Sequence, residues 1–241
     1  MTDSSVAGRV VLLAGATSTS GLAAARVLAS AGARVVAVGH NPGRFDALRS
    51  LDDRLSETGA PRIQLEVCDL TDEAAVQELA EHLHATLGPV DGVLHLVGGW
   101  RGGGGLAGQS EEDYRFLERS LTALRVVTRA FDDDLRASSA ARLAIVSSTA
   151  VDRPLAGGAN YAAVKAASEA WTRAVAQGFA KAARDAGTPL SAAAVVFRVK
   201  SLEGLEDTVA ERFAALWAED AASVNGTIMP LDASHTAESS G

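Results

Sequence analysis

The sequence predicts one doubly wound α/β domain, in which a parallel seven-stranded sheet carries helices on both faces. Short apolar runs alternate with longer helical stretches, which is typical of strands joined by right-handed helical crossovers. Most of the apolar runs are continuous rather than alternating, as in strands buried on both faces. The length of 241 residues suits a single α/β domain.

The apolar runs give the predicted strands: Arg9–Ala14, Ala33–Gly39, Arg62–Val67, Asp91–Val97, Arg142–Ser147, Leu190–Phe197 and Gly226–Leu231. Capping signals give the helices between them, because Asn, Thr, Asp and Ser satisfy the free N–H groups of a first helical turn. The first two predicted helices begin at Leu22 and Pro42, and the third runs from Asp72 to Gly88. The last three span Ser110–Leu135, Asn160–Gly187 and Leu205–Ala221. The domain spans 1–241, and residues 1–8 and 232–241 are expected to be loose tails.

Composition excludes several classes of protein. Hydrophobic residues make up 47% of the chain, which excludes a disordered protein, and no apolar run approaches a membrane span. The start of the chain lacks the basic region of a secretory signal. A formal charge of −8 argues against nucleic acid, and the single cysteine, Cys68, excludes a disulfide framework and a thiolate metal site. We expect a soluble cytoplasmic protein that handles small molecules, with no metal, no nucleic acid and no membrane partner.

The first strand is followed by a turn suited to phosphate. In a fold of this Rossmann type, a dinucleotide binds beside the first strand–helix turn. Here Gly15 permits a tight turn, Gly21 permits close helix packing, and the helix N-terminus offers free N–H groups to an anion. The turn also carries four hydroxyls that can bind phosphate: Thr17, Ser18, Thr19 and Ser20. Alone the signal is weak, because a turn without a ligand has a similar sequence.

The end of the second strand predicts which cofactor is preferred. An acid there selects NAD, whereas a basic group accommodates the 2′-phosphate of NADP. This chain has no carboxylate there, and it has His40 and Arg44 instead. The sequence favours NADP, with NAD possible. The alternative is that both residues are solvated surface groups.

The candidate catalytic residues lie later in the chain. Tyr161 and Lys165 are four residues apart on a predicted helix and so share one face, while Ser148 follows the fifth strand at the edge where ligands bind. A Tyr-x-x-x-Lys pair is common in helices. In this order, after a glycine turn and a strand-end serine, it is a strong signal.

On these motifs, the chain resembles the short-chain dehydrogenase/reductase family in its compact single-domain form, from the Gly15 turn to the last strand. The resemblance implies hydride transfer between a nicotinamide cofactor and an alcohol or carbonyl substrate. It makes Tyr161 the general acid or base, with Ser148 orienting the substrate oxygen. Lys165 would hold the nicotinamide ribose and lower the pKa of Tyr161. The resemblance also implies a homodimer or homotetramer and further cofactor contacts at Asp69, Leu70, Val97 and Gly98.

Electrostatics make the tyrosine role feasible. A phenol titrates near pH ~10, so reaching about 7 requires roughly 4 kcal/mol. One ammonium at about 5 Å with an effective dielectric of ~20 supplies roughly 3 kcal/mol. The positive nicotinamide of the oxidised cofactor can contribute the rest.

The chain also departs from the family pattern. Ala14 and Thr19 replace residues of the family's phosphate turn, and His95-Leu-Val-Gly98 stands where the family has Asn-Asn-Ala-Gly. Ser120 replaces an asparagine that helps to hold a proton-relaying water and is taken as the fourth catalytic residue. The Pro-Gly after the sixth strand is lost near Phe197-Arg198, and the segment that follows, Val199–Gly204, is short. These changes keep open an alternative, a catalytically weak or inactive nucleotide-binding protein that acts as a sensor or structural subunit.

Two smaller expectations concern residues near the site. The glycine-rich segment Gly98–Leu106 should border the crevice, where Trp100 or Arg101 would fold over substrate unless the segment is a floppy surface loop. His95 lies in an apolar strand and is expected to be a satisfied interior histidine.

Overall fold

The computed structural model describes residues 5–232, which form one domain around a seven-stranded parallel sheet of order β3-β2-β1-β4-β5-β6-β7. The strands are β1 (Val10–Ala14), β2 (Arg34–Gly39), β3 (Gln64–Val67), β4 (Gly92–His95), β5 (Arg142–Ser148), β6 (Ala193–Val199) and β7 (Ile228–Pro230). The helices are α1 (Thr19–Ser30), α2 (Asp46–Ser56), α3 (Glu73–Thr86), α4 (Glu111–Ala130), α5 (Asp132–Ala137), α6 (Ala159–Ala186), α7 (Glu206–Ala215) and α8 (Ala221–Val224). The predicted fold class is confirmed.

The sheet separates two apolar cores. Successive side chains of β1 alternate between them: Val11 and Leu13 face the core built with α1, α2 and α7, whereas Val10 and Leu12 face the core built with α3, α4 and α6. All four are almost fully buried. A strand with both faces covered needs a continuous apolar run, which is why the sequence pattern predicted this sheet.

Polar groups fasten the amino ends of the strands. The buried guanidinium of Arg142 donates hydrogen bonds of 2.8 to 2.9 Å to the carbonyls of Leu216, Ala141, Ser191 and Glu219. Asp91, just before β4, accepts from the backbone N–H of Val10 at 3.1 Å and from the hydroxyl of Ser138 at 2.6 Å. These bonds join β1, β4 and β5 to the segments that follow α5 and α7.

Two of the predicted helices are each broken into separate helices. The helix predicted from Ser110 to Leu135 is broken at Phe131, a fully buried residue that caps the end of α4 and directly precedes α5. Asp132, Asp133 and Asp134 form the first turn of α5, where carboxylates favour the start of a new helix. The helix predicted over Leu205–Ala221 ends as α7 at Ala215, continues as a 3₁₀ turn over Leu216–Ala218, and gives way to α8, capped by Asp220.

The predicted N-terminal tail is in part ordered. Val6 is 4% exposed and belongs to the core, and the backbone N–H of Gly8 donates to the carbonyl of Gly32 at 2.8 Å. The expectation of a loose tail is therefore wrong for residues 5–8. Asp232 is exposed, and the remaining tail residues, 1–4 and 233–241, lie outside the described residues. Within residues 5–232, no helix is both long and apolar enough to cross a membrane.

Candidate active site

The turn between β1 and α1 lets the backbone approach a ligand closely. Gly15 has a φ of +88°, and a Cβ on it would lie 3.0 Å from the backbone of Val97. A Cβ on Gly21 would lie 2.3 Å from the carbonyl oxygen of Ala16, so only glycine fits against the turn. Helix α1 begins at Thr19, earlier than the predicted Leu22, with Ser18 as its N-cap.

The four hydroxyls of this turn have different surroundings. The Ser18 hydroxyl donates to the carbonyl of Gly15 and accepts from the N–H of Gly21, both at 3.0 Å, so it serves the turn itself. Thr17 lines a first cavity, Ser20 lines a second, and Thr19 is exposed and lines neither. The prediction that Thr19 contacts the cofactor is therefore not supported, because its side chain lies outside both cavities.

Basic groups stand at the end of β2. Arg44 follows on a 3₁₀ turn, and its Nη2 lies 3.4 Å from the carbonyl oxygen of Thr17. Arg44 and His40 both line the first cavity, with no carboxylate between them in the chain. This end of the first cavity can therefore accept an anion.

At the other side of the first cavity, Asp69 is held by neighbours. Its carboxylate accepts from the hydroxyl of Thr71 at 2.7 Å and from Arg119 at 3.0 and 3.2 Å. The bonds from Thr71, followed by those from Arg119, lower the pKa of Asp69. Sequence reasoning missed Arg119, because an exposed arginine on α4 carries no local signal for a partner that is 50 residues away. Leu70 lines the same cavity.

The two cavities form one trough along the carboxyl ends of the strands. Each has a volume of about 400 Å³, and they share Ser18, Leu96, Val97 and Gly98. The first runs from the phosphate turn to Arg44 and Asp69, and the second contains Tyr161 and Lys165. Together they can hold an extended ligand with its two ends in different surroundings.

Tyr161 and Lys165 lie on one face of α6, with the ammonium of Lys165 5.7 Å from the centre of the tyrosine ring. Burial raises the pKa of Tyr161, and a hydrogen bond with the Ser148 side chain lowers it only in part. The net direction differs from the expected lowering by Lys165, because desolvation of the phenolate outweighs the nearby groups. A phenol with a raised pKa is fully protonated at neutral pH and so can donate a proton.

Lys165 is fixed by the strand beside it. Its Nζ donates to the carbonyl oxygen of Val146 at 2.7 Å. Burial lowers the pKa of Lys165 to about 8, and the negative charge of Glu169 opposes that shift. A Cβ on Gly98 would lie 3.7 Å from Nζ, so glycine keeps the space in front of the ammonium open.

Glu169, Arg198 and Asp152 form an ion-pair network near the site, and no sequence pattern predicted it. Glu169 is 1% exposed, accepts from Ser147 at 2.6 Å and receives two bonds of 2.7 and 2.8 Å from Arg198. Arg198 also binds Asp152 at 2.7 Å. Burial raises the pKa of Glu169, but the bonds from Arg198 and Ser147 outweigh it and hold the pKa below its usual range. Arg198, at the position of the lost Pro-Gly, thus ties β6 to α6.

Ser120 and His95 pair with each other. Nε2 of His95 lies 3.0 Å from the carbonyl oxygen of Ser120, and the Ser120 hydroxyl donates to the carbonyl of Leu117 at 2.8 Å. Ser120 lines the first cavity, whereas His95 lines the second with Tyr161 and Lys165. His95 is interior, as expected, but its Nδ1 has no protein partner, so it is only half satisfied.

The glycine-rich segment is anchored to the loop before α6. The amide of Gln109 donates to the carbonyls of Gly103, Gly105 and Gly157 at 3.0 to 3.2 Å, and the N–H of Gly103 donates to Gly157 at 2.7 Å. Trp100 is 62% exposed and lines the second cavity. The guanidinium of Arg101 turns away to stack on Phe116 at 4.0 Å.

The segment after β6 forms the other wall of the second cavity, where Val199, Lys200, Ser201 and Leu202 line it. The trough as a whole fits a nicotinamide dinucleotide. Glycines stand where backbone must approach phosphates, basic groups stand at the ribose end, and an ammonium faces open space at the far end.

A family model described as short chain dehydrogenase matches residues 9–183. The chain is 27% identical over 173 residues to the 2,3-dihydro-2,3-dihydroxybenzoate dehydrogenase of Bacillus subtilis, a match that covers 72% of this chain. The matched region spans 65% of that enzyme, less than two thirds of its length.

Solved structures share the fold. A metagenomic short-chain oxidoreductase in complex with NADP superposes with a TM-score of 0.79 and 23% identity, covering 94% of this chain and 98% of that one. The L-sorbose reductase of Gluconobacter frateurii, complexed with NADPH and L-sorbose, gives a TM-score of 0.79 at 19% identity over 95% of this chain and 97% of that one. Similar structures have thus been solved with NADP or NADPH bound. The family match covers well over half of the chain, and this protein belongs to the short-chain dehydrogenase family.

Proposed function

We propose that this protein is an NADP(H)-preferring oxidoreductase that interconverts an alcohol and a carbonyl compound, with Tyr161 as the general acid or base. One observation carries the proposal. Tyr161 and Lys165 line one end of a trough whose other end is basic, and the side chain of Ser148 is hydrogen-bonded to the phenol of Tyr161. Cytoplasmic location and assembly into a homodimer or homotetramer stay predictions.

The chain's own residues supply the proton. When bound, the nicotinamide supplies or accepts a hydride. In reduction, Tyr161 Oη gives its proton to the carbonyl oxygen as the C=O π bond breaks, and Ser148 holds that oxygen by a hydrogen bond. In oxidation the roles reverse, and the deprotonated Tyr161 takes the proton of the alcohol. The raised pKa of Tyr161 keeps the phenol protonated at neutral pH, which is the form that carbonyl reduction requires.

The preference for NADP(H) is supported by the ribose end of the trough. Arg44 is positioned beside Thr17, and the end of β2 has no acid that would repel a 2′-phosphate. The known complexes of similar structures with NADP and NADPH agree with this assignment.

The variant Tyr161→Phe tests the assignment. It should lower the rate of NADPH-dependent carbonyl reduction by about 10²–10⁴-fold, the usual contribution of a positioned general acid. NADPH affinity, followed by the fluorescence of the cofactor, should not change. Tyr114→Phe is the matched control, because the only other tyrosine of the chain lies on the exposed side of α4. Undiminished reduction by Tyr161→Phe would remove this role.

The same assay separates catalysis from binding alone. Wild-type protein would be titrated with NADPH and then screened with a panel of ketones and quinones for cofactor oxidation. Binding without turnover across a broad panel would favour the alternative, a nucleotide-binding protein without hydride transfer.

A further inference from the structure

The imidazole of His95 is the starting point, because it holds an unusual buried atom. The side chain is 5% exposed at the end of β4, and its Nε2 lies 3.0 Å from the Ser120 carbonyl oxygen. A carbonyl only accepts, so Nε2 carries the hydrogen and Nδ1 carries the lone pair. Among the side-chain nitrogen and oxygen atoms buried within residues 5–232, Nδ1 of His95 alone lacks a hydrogen-bond partner.

A buried acceptor of this kind is expected to bind something. An unpaired buried acceptor destabilises the folded state, so native proteins pair nearly all such atoms. The ring lines the second cavity with Lys165, whose Nζ uses one hydrogen for Val146 and keeps two. Burial, followed by the charge of Lys165, lowers the pKa of His95 to about 4, so Nδ1 remains an acceptor at neutral pH.

Each of the two oxygen atoms of Ser120 already has a partner. Its carbonyl already accepts from His95, and its hydroxyl donates within α4 to Leu117. The free acceptor beside the lysine is Nδ1 of His95.

We infer that His95 is a positioning residue, whose Nδ1 holds a water that also accepts a hydrogen bond from the ammonium of Lys165. This water is the route by which a proton from solvent reaches the site. After Tyr161 gives its proton to a carbonyl oxygen, Lys165 passes one proton towards the phenolate, the water returns a proton to Lys165, and solvent returns one to the water, so that each group ends as it began. The catalytic consequence rests on the proposed function, whereas the hydrogen bond to Lys165 does not.

Two amide variants distinguish this role from a purely structural one. His95→Asn places an amide at the position of Nδ1, whereas His95→Gln reaches the position of Nε2 and keeps the bond to Ser120. If His95 positions the water, the Asn variant behaves like the wild type and the Gln variant is impaired. If His95 only joins β4 to α4, the order is reversed.

The first readout needs no cofactor. The chain has three lysines, Lys165, Lys181 and Lys200, so labelled lysine gives a simple NMR titration in which Lys165→Arg assigns the signal of interest. His95→Gln should lower the pKa of Lys165 by about one unit, because the ammonium loses an acceptor. His95→Asn should leave it unchanged. An unchanged titration in the Gln variant overturns the inference.

The second readout uses NADPH and a carbonyl compound that the wild type reduces. His95→Gln should lower kcat about tenfold with KM unchanged, and His95→Asn should restore it, as expected for a lost proton route. If the wild type reduces nothing, the proposed function fails, and the lysine titration still decides the inference.

Wild-type protein alone gives a further check if a variant does not fold. Imidazole ¹⁵N spectra at pH 7 should show the Nε2–H tautomer of His95 with Nδ1 hydrogen-bonded. A proton on Nδ1, or a free Nδ1 lone pair, overturns the inference.

Discussion

At the scale of single residues, the ribose end of the trough depends on one flexible side chain. Arg44 is exposed and reaches across to the carbonyl of Thr17, with His40 lining the same cavity and no carboxylate between the two residues in the chain. A guanidinium in this position can bind a phosphate by charge-assisted hydrogen bonds. With the 2′-hydroxyl of NAD, the same side chain cannot form a bond between two opposite charges.

Arg44→Ala should therefore weaken NADPH binding about tenfold or more, since a hydrogen bond to a charged group contributes about 1.5–3 kcal/mol. NADH binding should change by less than about twofold, because the lost interaction involves only the phosphate. Fluorescence titration with both cofactors measures the two effects. Arg49→Ala is the control, because Arg49 is an exposed arginine of α2 that pairs with Asp46. Equal losses for NADPH and NADH would contradict the NADP preference.

At the scale of elements, the first turn and α1 meet without room for a side chain. The contact of Gly21 with the backbone of Ala16 fixes how closely α1 approaches β1. Because both partners are backbone, they cannot yield by a rotamer change. The geometry of the phosphate turn thus depends on a packing contact at the start of a helix.

Gly21→Ala should lower the melting temperature and weaken dinucleotide binding, because its Cβ would lie 2.3 Å from the Ala16 oxygen. The control is the same substitution in α6. A Cβ on Gly178 meets nothing within 4 Å, so Gly178→Ala should raise the free energy of unfolding by about 0.5–1 kcal/mol through better helix propensity. Thermal unfolding measures both. A Gly21→Ala protein as stable as the wild type would refute the packing account.

At the scale of the whole molecule, the buried ion pair of Glu169 and Arg198 joins the longest helix to the sheet. Because the pKa of Glu169 is held below its usual range, its contribution to stability is present above about pH 4.3 and is lost as pH falls through its folded pKa. Without Arg198, burial would instead raise that pKa, and the unpaired carboxylate would oppose folding at neutral pH.

Arg198→Met should lower the free energy of unfolding by about 3 kcal/mol at pH 7, because it leaves a buried charge unpaired. The deficit should shrink as pH falls towards 4.5, since the variant's Glu169 takes up a proton at higher pH than the wild type's. Urea unfolding at several pH values measures this. Arg115→Met removes an exposed guanidinium that pairs with Glu111 and Glu118 on the surface of α4, and should change stability little at any pH. A deficit independent of pH would exclude Glu169 as its cause.

Much of this molecule was predictable from local patterns. Continuous apolar runs, the Gly15 turn and the order of Ser148, Tyr161 and Lys165 are all visible along the chain. The break at Phe131 and the pair of Glu169 with Arg198 were not, because each depends on what packs against a residue from a distant part of the chain. The free Nδ1 of His95 likewise follows from which helix carbonyl its ring meets.

The fastening of Arg142 and Asp91 at the amino ends of the strands has a practical consequence. These bonds lie at the rim of the sheet opposite the trough, which follows the carboxyl ends of the strands. Substitutions that stabilise the amino ends of the strands can therefore be selected separately from substitutions in the trough. Their effects on the free energy of unfolding should add, since distant sites seldom interact.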